Sequence, residues 1–143
     1  MTTKVLKFSI IIFSLLITAC GPDCSLIDPA PPIAAIRLID SEGSLLVGPN
    51  ARYHQDSLLL SNTPDTIELY FNRYTDSSTF YFYYSQMINY EEYYLRLEES
   101  DIDTIILVSH HQHEKCADIL KLDTLWYNST IIKNNDDLIV VVK

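Results

Sequence analysis

Apolar and polar residues alternate along most of this chain with a period of two, the spacing of a strand that buries one face. Ile36, Leu38 and Asp40 alternate with Arg37 and Ile39. Ile67, Leu69 and Phe71 alternate with Thr66, Glu68 and Tyr70. Phe80, Phe82 and Tyr84 alternate with Tyr81 and Tyr83, and Tyr93, Leu95 and Leu97 with Tyr94, Arg96 and Glu98. Leu120, Leu122, Thr124 and Trp126 alternate with Lys121, Asp123 and Leu125. Leu58 to Leu60, Ile105 to Val108 and Leu138 to Val142 are short apolar runs, and β-branched and aromatic residues fill them, as suits strands. Turn chemistry separates the runs at Ser41-Glu42-Gly43, Asn128-Ser129-Thr130 and Asn134-Asn135-Asp136-Asp137. The spacing predicts seven to nine strands in an all-β fold. That fold is a single antiparallel β-sandwich, immunoglobulin-like or transthyretin-like, with a small β-barrel as the alternative. The one stretch where a helix would fit is Glu114 to Leu122.

The pattern breaks at the N-terminal end. Lys4 and Lys7 precede an apolar run from Phe8 to Leu16, and Ile17-Thr18-Ala19 leads into Cys20. The run is short for a bilayer span, which takes about 20 residues. This order of charge, apolar run, small residues and cysteine resembles the lipobox of bacterial lipoproteins. The resemblance implies cleavage before Cys20, with diacylglycerol on its sulfur and an acyl chain such as palmitate on its amine. Residues 1–19 are then a signal peptide. Residues 20–32, with Pro29, Pro31 and Pro32, form an extended tether. Residues 33–143 are the sandwich domain. Several acyl chains on one cysteine hold a domain at a membrane with no membrane-binding surface of its own. Gly21 after Cys20 resembles outer-membrane sorting, and the tether lacks the acidic run that resembles surface export. The first implies the outer membrane and the second a domain that faces the periplasm, with exposure at the cell surface as the alternative.

Charge narrows the partners. Residues 1–19 carry two lysines and no acid, so the remainder has 8 Lys+Arg against 19 Asp+Glu, a formal charge of −11. That balance disfavours nucleic acid and anionic lipid, both of which select basic surfaces. If lipid consumes Cys20, Cys24 and Cys116 are left as an even pair in an oxidising compartment. They are candidates for a disulfide, or for two separate thiols with Cys116 buried.

Four triplets share one pattern: Asp56-Ser57-Leu58, Asp65-Thr66-Ile67, Asp103-Thr104-Ile105 and Asp123-Thr124-Leu125. Each opens an expected strand. An Asp that bonds turn amides before an extended run explains them structurally. The pattern also resembles the acceptor motif of the general O-glycosylation system of Bacteroidota, which makes Ser57, Thr66, Thr104 and Thr124 candidate acceptors.

His110, His111, His113 and Cys116, with His54 from elsewhere, are the densest set of metal-ligating types, but their spacing matches no finger or ribbon. The acidic stretch Glu98 to Asp103 reads as a solvated turn. Of the ten tyrosines, Tyr81, Tyr83 and Tyr94 are candidates for outer faces, as cross-strand packing or as anchors for a sugar or protein. Gly43 and Gly48 have P-loop spacing, yet Pro49 stands where the motif needs lysine. No nucleophile elbow or singled-out carboxylate pair is present, so no enzyme and no cofactor are expected.

The lipobox together with Ile36 to Leu46, Tyr93-Tyr94-Leu95-Arg96-Leu97, Asp103-Thr104-Ile105 and Trp126-Tyr127-Asn128 resembles the small lipoproteins of unknown function common in Bacteroidota. That resemblance implies an anchored interaction module for an envelope protein or glycan. The alternative is a metal-binding or sensing lipoprotein that uses His110 to Cys116.

Overall fold

The computed structural model describes residues 30–72, 76–133 and 138–143. These hold ten strands and no α-helix. In chain order the strands are β1 (Ile33–Ile39), β2 (Leu59–Asn62), β3 (Asp65–Ile67), β4 (Tyr70–Asn72), β5 (Asp76–Tyr83), β6 (Glu92–Glu98), β7 (Asp101–Glu114), β8 (Ala117–Tyr127), β9 (Thr130–Lys133) and β10 (Leu138–Val142). They form a β-sandwich of two packed sheets rather than a closed barrel. The smaller sheet has the order β10-β1-β5-β4 and the larger β3-β2-β6-β7-β8-β9. All ladders are antiparallel except that of β1 and β10, which is parallel.

The period-two runs account for the core. Ile36, Leu38, Phe80 and Phe82 from the smaller sheet face Leu60, Leu95, Leu97, Ile105, Leu107 and Leu125 from the larger, and all are inaccessible to solvent. In β6 the alternation is complete, with Tyr93, Leu95 and Leu97 inward and Tyr94 and Arg96 outward. The run from Thr66 to Phe71 is not one strand. It leaves the larger sheet after Ile67 and joins the smaller one at Tyr70.

Two expectations are corrected. Glu114 to Leu122 is not helical: Lys115-Cys116 turns the chain and β8 begins at Ala117. The alternation in β8 also changes phase. Val108 pairs with Thr124 but Ser109 with Leu122, so Asp123 is an extra residue in the ladder. Such a bulge moves every side chain beyond it to the other face. Leu125 and Tyr127 are therefore in the core, Leu120 and Leu122 pack against the same core, and Trp126 lies outside it. Asn89 clamps this point. Its side chain donates to the Ser109 carbonyl at 2.7 Å and accepts from the Ser109 amide at 2.9 Å, in the manner of a strand partner.

Candidate functional site

The most concentrated polar chemistry among the described residues lies at one end of the core, where sequence reasoning expected a solvated turn. β7 alternates with its inward side at Asp103, Ile105, Leu107 and Ser109, so the alternation itself carries Asp103 inside, 4% exposed. Its carboxylate accepts from the Tyr127 hydroxyl, from Asn128 Nδ2 at 2.6 Å and from Lys143 Nζ. Lys143 Nζ also reaches Asp101 Oδ1 at 2.5 Å, and the Tyr53 hydroxyl donates to the other oxygen of Asp101. Arg52 stands 3.9 Å from Asp101 and stacks over the Tyr53 ring, and the Lys143 ammonium lies 5.6 Å from the same ring.

Local structure sets this geometry. Asn128 and Ser129 both have positive φ, 48° and 66°, the conformation of a two-residue type I′ hairpin turn between β8 and β9. Asn tolerates it, and in that position its side chain also accepts from the Thr104 amide at 2.8 Å. Lys143 is placed by β10, with its amide donating to the Ile39 carbonyl. Every strong donor here is aimed at Asp101 or Asp103. The arrangement is internally satisfied and closes the end of the sandwich.

The electrostatics follow. Lys143, then Tyr53, hold the Asp101 carboxyl below the usual carboxylate range. Burial, reinforced by the hydrogen bond to Asp101, pushes Tyr53 up to about 12. Burial and the bond to Asp103 raise Tyr127 well above the ordinary tyrosine value. A lowered Asp101 contributes stability above the unfolded-state value, near pH 4, and loses it as pH falls through the folded-state value. Raised tyrosines contribute below about pH 10 and lose their contribution as pH rises toward their folded-state values. Stability is thus expected to hold level between these limits as far as this cluster is concerned, and to fall steeply from about pH 10 to 12. Alkaline unfolding followed by circular dichroism checks this. In Tyr53→Phe the fall starts from a lower plateau and is shallower, because one of the two raised hydroxyls is gone.

The histidine cluster does not converge. His110 and His113 are three apart on β7 and so lie on opposite faces. His110 Nδ1 sits 2.8 Å from Asp123 and His113 Nδ1 2.6 Å from Asp118, both exposed, and His54 caps the short turn Gln55–Ser57 instead. His111 is exposed beside them, and Cys116 is disulfide-bonded, so its sulfur is no thiolate ligand. Among the described residues no three His, Cys, Asp or Glu side chains gather around one point. The other two cysteines, Cys20 and Cys24, lie outside the described residues, as do the lipobox and most of the tether.

The four Asp-(Ser/Thr)-aliphatic triplets have different surroundings. Ser57 Oγ is within 2.7 Å of the carbonyls of both His54 and Leu97. Thr104 follows the buried Asp103, and Thr124 is half-buried after Asp123, which is engaged by His110. Asp65 and Thr66 are both exposed, on the edge strand β3.

The outer faces hold the remaining aromatics. On the smaller sheet Leu138, Ala35, Tyr81 and Tyr70 lie in one register row, and Tyr83 meets Tyr70 edge to face at 5.6 Å. Tyr81 and Tyr83 are half-buried by this cross-strand contact. Tyr94 is outward on the larger sheet, its hydroxyl donating to Glu92. No helix among the described residues is long and apolar enough to cross a membrane. No protein-family model matches this chain, and no curated protein or solved structure is detectably similar to it.

Proposed function

We propose that this chain is a cell-envelope lipoprotein, anchored by acyl chains on Cys20, whose sandwich is a non-catalytic interaction module for an envelope protein or glycan. The observation that carries the reading is Ile17-Thr18-Ala19-Cys20 directly after a charged and apolar leader. The fold supports it. The domain begins beside an exposed Ala30-Pro31, as a body on a proline-rich tether does. Its densest polar cluster is consumed by internal bonds, while the outer tyrosines Tyr70 and Tyr94 stay accessible. In this reading the domain faces the periplasm from the outer membrane, and Cys24 is the disulfide partner of Cys116.

The anchor is tested by Cys20→Ser. The parent chain is expected to incorporate radiolabelled palmitate and to enter the detergent phase on phase separation. The variant is expected to lose the label. Equal labelling of both chains contradicts the reading.

The same proposal gives one glycan acceptor. A transferase needs the acidic and hydroxyl side chains of its motif presented together. Asp56-Ser57 and Asp65-Thr66 are the two motif pairs with both side chains exposed, but the Ser57 hydroxyl is held by the His54 and Leu97 carbonyls, which leaves Asp65-Thr66-Ile67 as the acceptor of this proposal. A sugar is expected on Thr66, and Thr66→Ala removes it in an intact-mass spectrum whereas Thr104→Ala leaves it unchanged. A sugar that persists in Thr66→Ala contradicts this assignment.

A further inference from the structure

Beyond the body of the sandwich, β7 and β8 continue as a two-stranded ribbon. β6 pairs with β7 no further than Ile106, and β9 with β8 no further than Thr124. From His110 to Lys121 the two strands are paired only with each other among the described residues, and His110 to Lys115 are all exposed. β7 starts at Asp101, so the ribbon tip and the Asp101–Lys143 cluster stand at opposite ends of the molecule, about 40 Å apart by strand rise. Two observations put the N-terminal side of the chain beside the ribbon. First, β1 enters at that end: Ala30, Pro31 and Pro32 line one cavity with Ile119, Leu120 and Leu122, while Ile39 at the other end of β1 bonds the Lys143 amide. Second, Cys116 at the ribbon tip is disulfide-bonded, and the other cysteines of the chain are Cys20 and Cys24.

The consequence rests on the proposed function, in which Cys20 carries lipid and Cys24 bonds Cys116. The stretch from Cys20 to Cys24 spans at most about 14 Å. Without the bond the leash runs on to Ile33 and reaches about 45 Å. Charge agrees with a short leash. Residues 20–143 have a formal charge of −11, yet between His110 and Lys121 the acids Glu114 and Asp118 are balanced by Lys115 and Lys121. The pairing is local: Asp118 meets His113 at 2.6 Å and Glu114 meets Lys121 at 3.4 Å. The ribbon is thus a neutral stretch of an acidic body, which an anionic lipid surface does not repel. The exposed imidazoles of His111 and His113 present N–H groups to lipid phosphates. We propose that the β7–β8 ribbon is the surface this lipoprotein turns to the membrane, stapled at Cys116 against the lipid headgroups, with the Asp101–Lys143 end held away. The sandwich then stands upright on the bilayer instead of swinging on a long tether. Tyr94, opposite Thr104 toward the distal end, is left facing partners in solution.

The test uses the full chain purified from membranes and reconstituted into vesicles of phosphatidylcholine and phosphatidylglycerol that carry a nitroxide on the headgroup. Trp126 is the single tryptophan and lies along β8 about 30 Å from Cys116. Its emission is expected to be unchanged by the nitroxide lipid. Lys115→Trp in a Trp126→Phe background is expected to be quenched several-fold. Adding Cys24→Ser and Cys116→Ser is expected to cut that quenching about twofold, because a longer leash lowers the local concentration of headgroups at the tip. A peptide map made without reductant is expected to link Cys24 to Cys116. Trp126 quenched as strongly as the Lys115→Trp probe, no quenching of either, quenching indifferent to the double serine change, or a link from Cys116 to Cys20 overturns the proposal. If the double serine variant does not fold, the two tryptophan positions and the peptide map decide the question by themselves. A chain that stays out of the vesicles fails the anchor reading itself and takes the proposal with it. A vesicle-bound chain with Trp126 quenched fails the proposal alone.

Discussion

Replacing Lys143 by methionine is expected to cost about 3–5 kcal/mol of folding stability, the range seen when one partner of a buried ion pair is removed. The reason is what remains. Lys143 Nζ is the group that bonds Asp101 and Asp103 together, and the Asp103 side chain is 5% exposed. Without the ammonium, two carboxylates face each other with the neutral donors Tyr53, Tyr127 and Asn128 and, as the one cation nearby among the described residues, Arg52, 3.9 Å from Asp101 and itself 63% exposed. Methionine fills the space of the stem, so the loss reports charge rather than a void. Lys143 is the first cause that holds the Asp101 carboxyl low, so in the variant that carboxyl takes up its proton at higher pH and the deficit is expected to shrink as pH falls. Lys143→Arg should retain most of the stability. Lys143→Met with Asp103→Asn should recover part of the loss, because the amide carries no charge to strand. Urea unfolding at pH 7 and pH 5 measures all four chains. A loss under about 1 kcal/mol for Lys143→Met shows that solvent screens the pair like a surface one.

Leu125→Ala is expected to destabilise by about 3 kcal/mol while Trp126→Ala, a larger truncation, costs about 1 kcal/mol. Leu125 is inaccessible to solvent among Leu97, Ile105 and Leu107 in the core, so its loss leaves a cavity. Trp126 is on the outer face, flanked in the ladder by Ile106 and Ile131, where water fills the vacated space. The alternation of β8 taken alone gives the opposite order, with Trp126 beside Leu120 and Leu122. Chemical denaturation of the two variants therefore measures the bulge at Asp123 directly. A Trp126→Ala loss larger than that of Leu125→Ala contradicts the register described.

This pair also shows how far the sequence could be read. In β1, β5 and β6 the alternation is local and unbroken, and Ile36, Leu38, Phe80, Phe82, Leu95 and Leu97 are where it puts them. In β8 the phase depends on one unpaired residue, whose position is set by the ladder with β7 and by Asn89 far along the chain. Nothing in Leu120 to Trp126 marks it. The break between Ile67 and Tyr70 is likewise invisible to a period-two count, because both strands keep the same phase while belonging to different sheets.

Asp101 and Asp103 illustrate a second limit. Within Glu98 to Asp103 they look like any solvated carboxylates. Their partners are Tyr53, Tyr127, Asn128 and Lys143, each 24 or more residues away. One signal was available: Asp103 has the parity of Ile105, so a strand beginning at Asp101 puts it inside. The histidines failed as a group for the reverse reason. They are close in sequence, but alternation divides them between two faces, and the exposed hairpin gives His110 and His113 separate carboxylates.

In the proposed function the tether, the oxidising compartment and the envelope role all follow from lipid at Cys20. Intact-mass spectrometry of the protein extracted from membranes tests that directly. The predicted result is the mass of residues 20–143 plus a diacylglycerol and an acyl chain. Recovery of the unprocessed, unacylated chain of 143 residues from the soluble fraction contradicts it.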